Sequence, residues 1–208
     1  MQNNRTRRLQ QFTDAGLWGS QTLHGLLAHN AIAHPDREAV VDQPDKALLT
    51  GVPPRRLTLR QLDQASSACA MELAARGIGP GDVVILQLPN TAELIVLYYA
   101  LSKLGAVISP IAVQYAAHEI GHFARQLPLA AFITVSDLRG ADLAAQARQV
   151  IPDVPVWDVL GDLDVFADAD APTQIPGEGW ASDANAILTI AWTSGTTGTP
   201  KGVPRSHN

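Results

Sequence analysis

Short apolar runs alternate with helical segments through most of this chain, and that alternation restricts the fold more than any other feature of the sequence. The run from Asp82 to Leu88 is apolar and bounded by turn residues, which is typical of a strand buried in a parallel sheet. Further strands are predicted at 39–41, 56–59, 107–111, 130–135, 154–159 and 186–192. Strands and helices in this order predict an α/β fold, with a mainly parallel, doubly wound sheet flanked by helices.

The helices between these strands are predicted from apolar residues at helical spacing and from end signals. A capping-box pattern at Thr58 and Gln61 begins a helix that Gly77 ends, and Asn90 begins another that Gly105 ends. Further helices are predicted at 22–34, 116–127 and 140–150. The segment 161–183 is acidic, contains Pro and Gly and has little periodicity, so we expect a surface connection there.

The strand predicted at 186–192 leads into residues 193–202, TSGTTGTPKG, which combine hydroxyl side chains, three glycines and one lysine. Glycine lets backbone N–H groups approach an anion closely, and consecutive N–H groups form an anion-binding nest. Ser and Thr hydroxyls donate further hydrogen bonds, and Lys201 adds a charge suited to phosphate. Lysine is scarce, since only Lys46, Lys103 and Lys201 occur, and one of the three lies in this loop.

This loop differs from a Walker A loop, which has Gly directly before the Lys and Ser or Thr after it, at the start of a helix. Here Pro200 precedes Lys201, Gly202 follows it, and Val203 with Pro204 makes a poor helix start. Composition alone leaves a flexible surface turn as the alternative. The ordered spacing of the glycines, proline and lysine favours an anion-binding loop.

The phosphate-binding signature of the adenylate-forming, acyl-activating superfamily resembles residues 192–208, WTSGTTGTPKGVPRSHN. This superfamily includes acyl-CoA synthetases, aryl-acid AMP ligases, peptide-synthetase adenylation domains and luciferases. Its N-terminal segments resemble HPDREAVVD (34–42), RLTLRQLDQASSACAMELAARGIGPGDVVILQLPN (56–90) and LYYALSKLGAVISPI (97–111) in order and spacing. The resemblance covers nearly the whole chain. The motif PRSHN, together with AGLWGSQTL near the start, favours the aryl-acid AMP ligases and related carboxylate-CoA ligases.

The resemblance implies acid activation by ATP and Mg²⁺. A carboxylate, which belongs to an aryl acid in the aryl-acid AMP ligases, attacks the α-phosphate, and pyrophosphate leaves. The thiol of CoA or of a carrier pantetheine then takes the acyl group. Negative charge collects on the departing phosphates, which a loop of N–H groups, hydroxyls and a lysine stabilises. The clamp implied by the resemblance consists of Thr193, Ser194, Gly195, Thr196, Thr197, Gly198 and Lys201, with Pro200 and Gly202 fixing its shape. His207 is implied to lie near the acyl or aryl pocket and the nucleotide phosphate.

The family's other signatures, for adenine, Mg²⁺, ribose, the hinge and the catalytic lysine, lie downstream of the region matched here. We therefore expect residues 1–208 to be the N-terminal part of the adenylate-forming domain of a larger multi-subdomain fold. It ends just after the phosphate-binding loop, lacks the C-terminal portions and carries no catalytic residue. On that basis the isolated chain is inactive in ATP–pyrophosphate exchange and exposes apolar surface that favours self-association or a missing C-terminal half.

Two other functions remain open. One is a non-catalytic nucleotide- or polyphosphate-binding or interaction module that kept only the loop. The other is a zinc hydrolase, because residues 118–122, HEIGH, match the H-E-x-x-H pattern. No glutamate follows Glu119 before Glu178 to supply a third ligand, and Gly121 weakens the helix, so we expect an ordinary helix and no metal site. The glycines at 77, 79 and 81 follow a helix and precede a strand, the reverse of a dinucleotide-binding loop.

Charge and composition exclude several partners. The formal net charge of −5 argues against a nucleic-acid surface. The most apolar helical segment, 91–104, is too short to cross a bilayer and contains Glu93 and Lys103, so no membrane partner is expected. The chain has a single cysteine, Cys69, which excludes an internal disulfide and fits the reducing cytoplasm. Cys69 lies on the apolar stripe of a predicted helix, so we expect it to be a core residue.

Overall fold

The computed structural model describes residues 2–166, 180–193 and 200–208, with side chains from residue 6 onward. The helices are α1 (Gln2–Asp14), α2 (Leu23–Ala33), α3 (Lys46–Thr50), α4 (Leu59–Ala75), α5 (Ala92–Leu104), α6 (Ala117–Gln126) and α7 (Leu143–Val150). The strands are β1 (Glu38–Val41), β2 (Arg56–Thr58), β3 (Val83–Leu86), β4 (Val107–Pro110), β5 (Leu129–Thr134), β6 (Val156–Asp158), β7 (Ile187–Thr193) and β8 (Lys201–Ser206).

Two sheets are formed by these strands. The main sheet has the order β6-β5-β3-β4-β7-β8, and every neighbouring pair in it is parallel except β7 and β8. The second sheet is the antiparallel pair of β1 and β2. The predicted α/β fold with a mostly parallel sheet flanked by helices is therefore confirmed.

Helices cover both faces of the main sheet, which makes the fold doubly wound. On one face, Val84 of β3 belongs to a core cluster with Leu73 of α4 and Leu97 of α5. On the other face, Ile85 of β3 packs with Phe123 of α6 and residues of α7. Successive residues of β3 thus enter opposite cores, which explains why the run that forms it is apolar at every position. No helix in the described part of the chain is long and apolar enough to cross a bilayer.

The first turns of α4 and α5 show where the local sequence predicts the start of a helix and where it does not. The Thr58 hydroxyl accepts from the Gln61 N–H and the Gln61 side chain accepts from the Thr58 N–H, so the capping box is confirmed. The α5 prediction was less accurate, because this helix begins at Ala92 rather than at Asn90. A carboxylate oxygen of Asp42 accepts the Ala92 N–H at 2.7 Å, so the cap comes from a residue far away in the sequence.

Two of the three lysines are buried in ion pairs. The Lys46 ammonium donates to Asp42 at 2.8 Å and to Glu93 at 2.6 Å, and all three residues are buried. The Lys103 ammonium donates to Asp63 and to the Ser67 hydroxyl. Both lysines therefore join helices to their neighbours inside the protein.

Cys69 lies inside the core on α4, as predicted. Burial is the main cause that raises the pKa of its thiol to about 12. A thiol with so high a pKa is a poor nucleophile at neutral pH, so Cys69 acts as a small core residue.

Candidate functional site

The glycine-rich stretch connects the two strands of a hairpin. The antiparallel pairing of β7 and β8 places Thr193 opposite Lys201, and the Thr193 hydroxyl donates to the Lys201 carbonyl at 3.4 Å. The two ends of the predicted phosphate loop are thus held together. The remaining predicted clamp residues, Ser194, Gly195, Thr196, Thr197 and Gly198, lie outside the described residues.

The hairpin lies at the edge of the sheet where ligands bind in folds of this class. Since β7 runs parallel to β4, with Thr189 paired to Ile108, Thr193 lies at the edge where the carboxyl ends of β3, β4 and β5 also lie. In open α/β sheets, ligands bind outside the carboxyl ends of the parallel strands. The position of the hairpin therefore suits an anion-binding loop.

Lys201 differs from the other two lysines in its surroundings. Its side chain is exposed at the start of β8, whereas Lys46 and Lys103 are buried in ion pairs. Among the described residues, no salt bridge of Lys201 is found. A lysine in this situation keeps its positive charge available for a ligand that approaches from solvent.

Side chains of both strands next to the loop make close contacts with their neighbours. The Trp192 indole N–H donates to the Ser109 hydroxyl at 2.9 Å, and its ring centroid lies 4.3 Å from that of Phe123. On the opposite strand, a Cβ added at Gly202 would lie 2.8 Å from Ile190 Cγ2, which real Cβ atoms essentially never do. The close packing between the strands therefore explains a glycine at this position.

The residues of the HEIGH pattern lie on α6, as an ordinary helix would place them. His118 is exposed, and the Glu119 carboxylate accepts the N–H of Ala116, so backbone N–H groups hold the pKa of Glu119 below its ordinary value. The His122 side chain lies beside the start of β8, where its Nε2 is 3.3 Å from the Pro200 carbonyl oxygen. In the described ranges, no group of three His, Cys, Asp or Glu residues is arranged to hold a metal ion.

We expect the purified protein to contain no stoichiometric zinc, since two histidines of one helix need at least one further ligand to form a closed site. Elemental analysis after dialysis against trace zinc is the measurement. One tightly bound zinc per chain that disappears in a His118→Ala variant would contradict this expectation, whereas zinc lost on brief dialysis would not.

His207 lies just beyond the far end of β8 from Lys201. His207 follows Lys201 by six residue steps of extended chain, which corresponds to about 20 Å, so the structure does not bring them side by side. The His207 Nδ1 accepts the N–H of Leu23 at 2.9 Å, which leaves the ring hydrogen on Nε2 in the neutral form. Burial lowers the pKa of His207, and Asp183 opposes that effect in part.

A polar cluster beside His207 was not predicted from the sequence. His24 is buried, its Nδ1 lies 2.9 Å from the Ser102 hydroxyl, and its Nε2 lies 3.2 Å from the Thr22 hydroxyl. Nearby, the Asn208 side chain bonds both the N–H and the carbonyl of Gly19. The contacts of His207 and Asn208 join residues 19 and 23 to the end of the described chain, and no local sequence pattern indicates contacts over such a distance.

Comparisons with known proteins agree with this geometry. A salicyl-AMP ligase / salicyl-S-ArCP synthetase of Mycobacterium tuberculosis is 33% identical over 209 residues, a match that spans 97% of this chain and 36% of that protein. The phosphinothricin tripeptide synthetase PhsC of Streptomyces viridochromogenes is 35% identical over 187 residues, which span 90% of this chain and 16% of that protein. The chain therefore spans about a third or less of these relatives.

A solved structure and a family model lead to the same group. The apo structure of MbtA from Mycobacterium smegmatis is 32% identical, with a TM-score of 0.75 over 97% of this chain and 37% of that one. Residues 27–208 match the family model described as AMP-binding enzyme. Because the family model matches most of the chain and the salicyl-AMP ligase is 33% identical over nearly all of it, the chain belongs to the AMP-binding enzyme family.

Proposed function

We propose that this chain is the N-terminal part of an enzyme that activates a carboxylic acid with ATP and Mg²⁺, and then transfers the acyl group to a thiol. Family membership and relatives that include a salicyl-AMP ligase support this proposal and favour an aryl acid as substrate. The acceptor is the thiol of CoA or of a carrier pantetheine. We also propose a cytoplasmic location, which fits the single reduced cysteine.

The proposal depends most on the hairpin of β7 and β8. The pairing of Thr193 with Lys201 holds the ends of a stretch rich in N–H and hydroxyl donors at the carboxyl edge of the sheet, next to an exposed lysine. These donors suit the β- and γ-phosphates of ATP, where negative charge increases as pyrophosphate leaves. In this role Thr193, Lys201 and residues 194–198 bind phosphate, while Pro200 and Gly202 set the shape of the loop. In the same proposal His207, at the other end of β8, lies near the pocket that binds the carboxylic acid.

A non-catalytic polyphosphate-binding module remains the second candidate, because the same hairpin suits both functions. Acid-dependent ATP–pyrophosphate exchange separates the two. Exchange by the longest product of the gene supports the ligase. Polyphosphate binding without exchange in that product supports the module.

We expect Lys201→Ala to weaken the binding of pyrophosphate by about 1–3 kcal/mol, the usual effect of removing a charged hydrogen-bond partner. Isothermal titration calorimetry at low ionic strength measures this difference on the 208-residue chain. Arg205→Ala is the matched control, because it removes the same charge from an exposed position on the same strand. Equal pyrophosphate affinities of Lys201→Ala and the wild type would show that this loop is not a phosphate clamp.

A further inference from the structure

One side chain on α6 contacts the residues on both sides of the glycine-rich stretch. The His122 ring centroid lies 6.5 Å from that of Trp192, near the end of β7, in an edge-on arrangement. The Nε2 of the same ring lies 3.3 Å from the carbonyl oxygen of Pro200, the residue directly before Lys201. His122 therefore connects the chain that enters the stretch with the chain that leaves it.

The position of the His122 ring is set by its neighbours in the folded core. Phe123 lies edge-on to the His122 ring at 6.0 Å, and the Gln126 side chain contacts Nε2 from the next turn of α6. Trp192 is in turn fixed by its hydrogen bond to Ser109 of β4. The ring is thus held by α6 and the sheet.

The contact with Pro200 restrains the backbone where the chain re-enters the sheet. A carbonyl oxygen only accepts hydrogen bonds, so the His122 Nε2 that bonds Pro200 carries a hydrogen and donates it. The Gln126 amide beside Nε2 then turns its oxygen, rather than its NH₂ group, toward the same hydrogen. The proline ring fixes φ of Pro200, and a hydrogen bond to the Pro200 carbonyl restrains ψ. Together they fix the peptide unit that joins Pro200 to Lys201.

We propose that His122 is a positioning residue for Lys201, which it orients through the Pro200 carbonyl. This inference rests on the proposed function, in which Lys201 binds the phosphates. It gives the second histidine of the HEIGH pattern a role in polyphosphate binding that needs no metal. A residue that acts only through Lys201 loses its effect when Lys201 is absent, and this distinguishes it from a residue that merely stabilises the fold.

The first experiment tests the hydrogen bond without any ligand. The amide of Lys201 shares its peptide unit with the Pro200 carbonyl, so its ¹H–¹⁵N signal responds to a change at that carbonyl. We expect His122→Ala to shift this signal and His118→Ala, one turn earlier on α6, to leave it unchanged. His122→Gln keeps an N–H donor and should restore part of the wild-type shift. A Lys201 signal that is the same in wild type and His122→Ala would overturn the proposal.

The second experiment is a double-mutant cycle on pyrophosphate affinity, measured by calorimetry. We expect His122→Ala to weaken binding about threefold to tenfold, as for the loss of one hydrogen bond, and His118→Ala to have no effect. In a Lys201→Ala background, His122→Ala should change the affinity less than about twofold. Equal losses in both backgrounds would overturn the positioning role.

The cycle also separates failure of this inference from failure of the proposed function. If Lys201→Ala weakens binding but His122→Ala does not, only the role of His122 is wrong. If Lys201→Ala leaves pyrophosphate affinity unchanged, the phosphate clamp fails and the inference fails with it.

Discussion

Replacing Lys46 with methionine is expected to lower the free energy of unfolding by about 3–5 kcal/mol, the usual effect of removing one partner from a buried ion pair. The Lys46 ammonium is the donor shared by Asp42 and Glu93, and all three side chains are buried. Without it, two carboxylates remain in the core close to each other and lack their positive partner. Urea denaturation at pH 7, followed by fluorescence, measures the loss.

The matched control for Lys46→Met is Arg56→Met, which also breaks a basic–acidic pair. The pair of Arg56 with Glu38 is exposed, with side chains 68% and 50% accessible. Exposed pairs contribute about 0–1 kcal/mol because water and salt screen them. If Lys46→Met destabilised the protein no more than Arg56→Met, the buried cluster would not stabilise the fold.

Acidification from pH 7 to pH 4.5 is expected to remove about 2–3 kcal/mol of stability, mainly through His24. Burial, with repulsion from His207 and Lys103, lowers the pKa of His24 from 6.5 to about 4 in the folded protein. Between these two values the unfolded chain binds a proton that the folded chain does not. Protonation of His24 therefore costs the folded protein little stability above about pH 6.5, and the cost grows as the pH falls toward 4.

The contribution of His24 is isolated by comparing the wild type with His24→Gln over this pH range. The stability difference between the two proteins should shift by about 2–3 kcal/mol in favour of the variant as the pH falls from 7 to 4.5. His29→Gln, an exposed change on the same helix, should leave the wild-type pH profile intact. Parallel profiles of His24→Gln and the wild type would contradict the assignment.

The parallel strands β3 to β7 of the main sheet were predictable because each of them is a short apolar run in the local sequence. The run that forms β3 is apolar at every position since both of its faces are buried, and turn residues mark its ends. The capping box at Thr58 was predictable for the same reason, because both partners lie within one turn of helix. Resemblance then identified the glycine-rich stretch, and the structure places its two ends together at the carboxyl edge.

What the sequence did not reveal depends on contacts between distant residues. The buried environment of Lys46 comes from Asp42 and Glu93, and nothing near Lys46 in the sequence indicates that Glu93 will lie beside it. The strand β8 was missed because it contains Pro204 and Gly202, both poor strand formers, and exists through its pairing with β7. The partners of His24 and His207 were missed for the same physical reason.

The order of strands in the main sheet also has a consequence for synthesis on the ribosome. The strand β4 ends at Pro110, but its neighbour β7 begins only at Ile187. At about 5–20 residues per second, the nascent chain holds β4 with one side unpaired for roughly 4–15 s. During that interval the row of free N–H and C=O groups along β4 is a template for pairing with other chains, and a chaperone that covers this edge prevents such pairing.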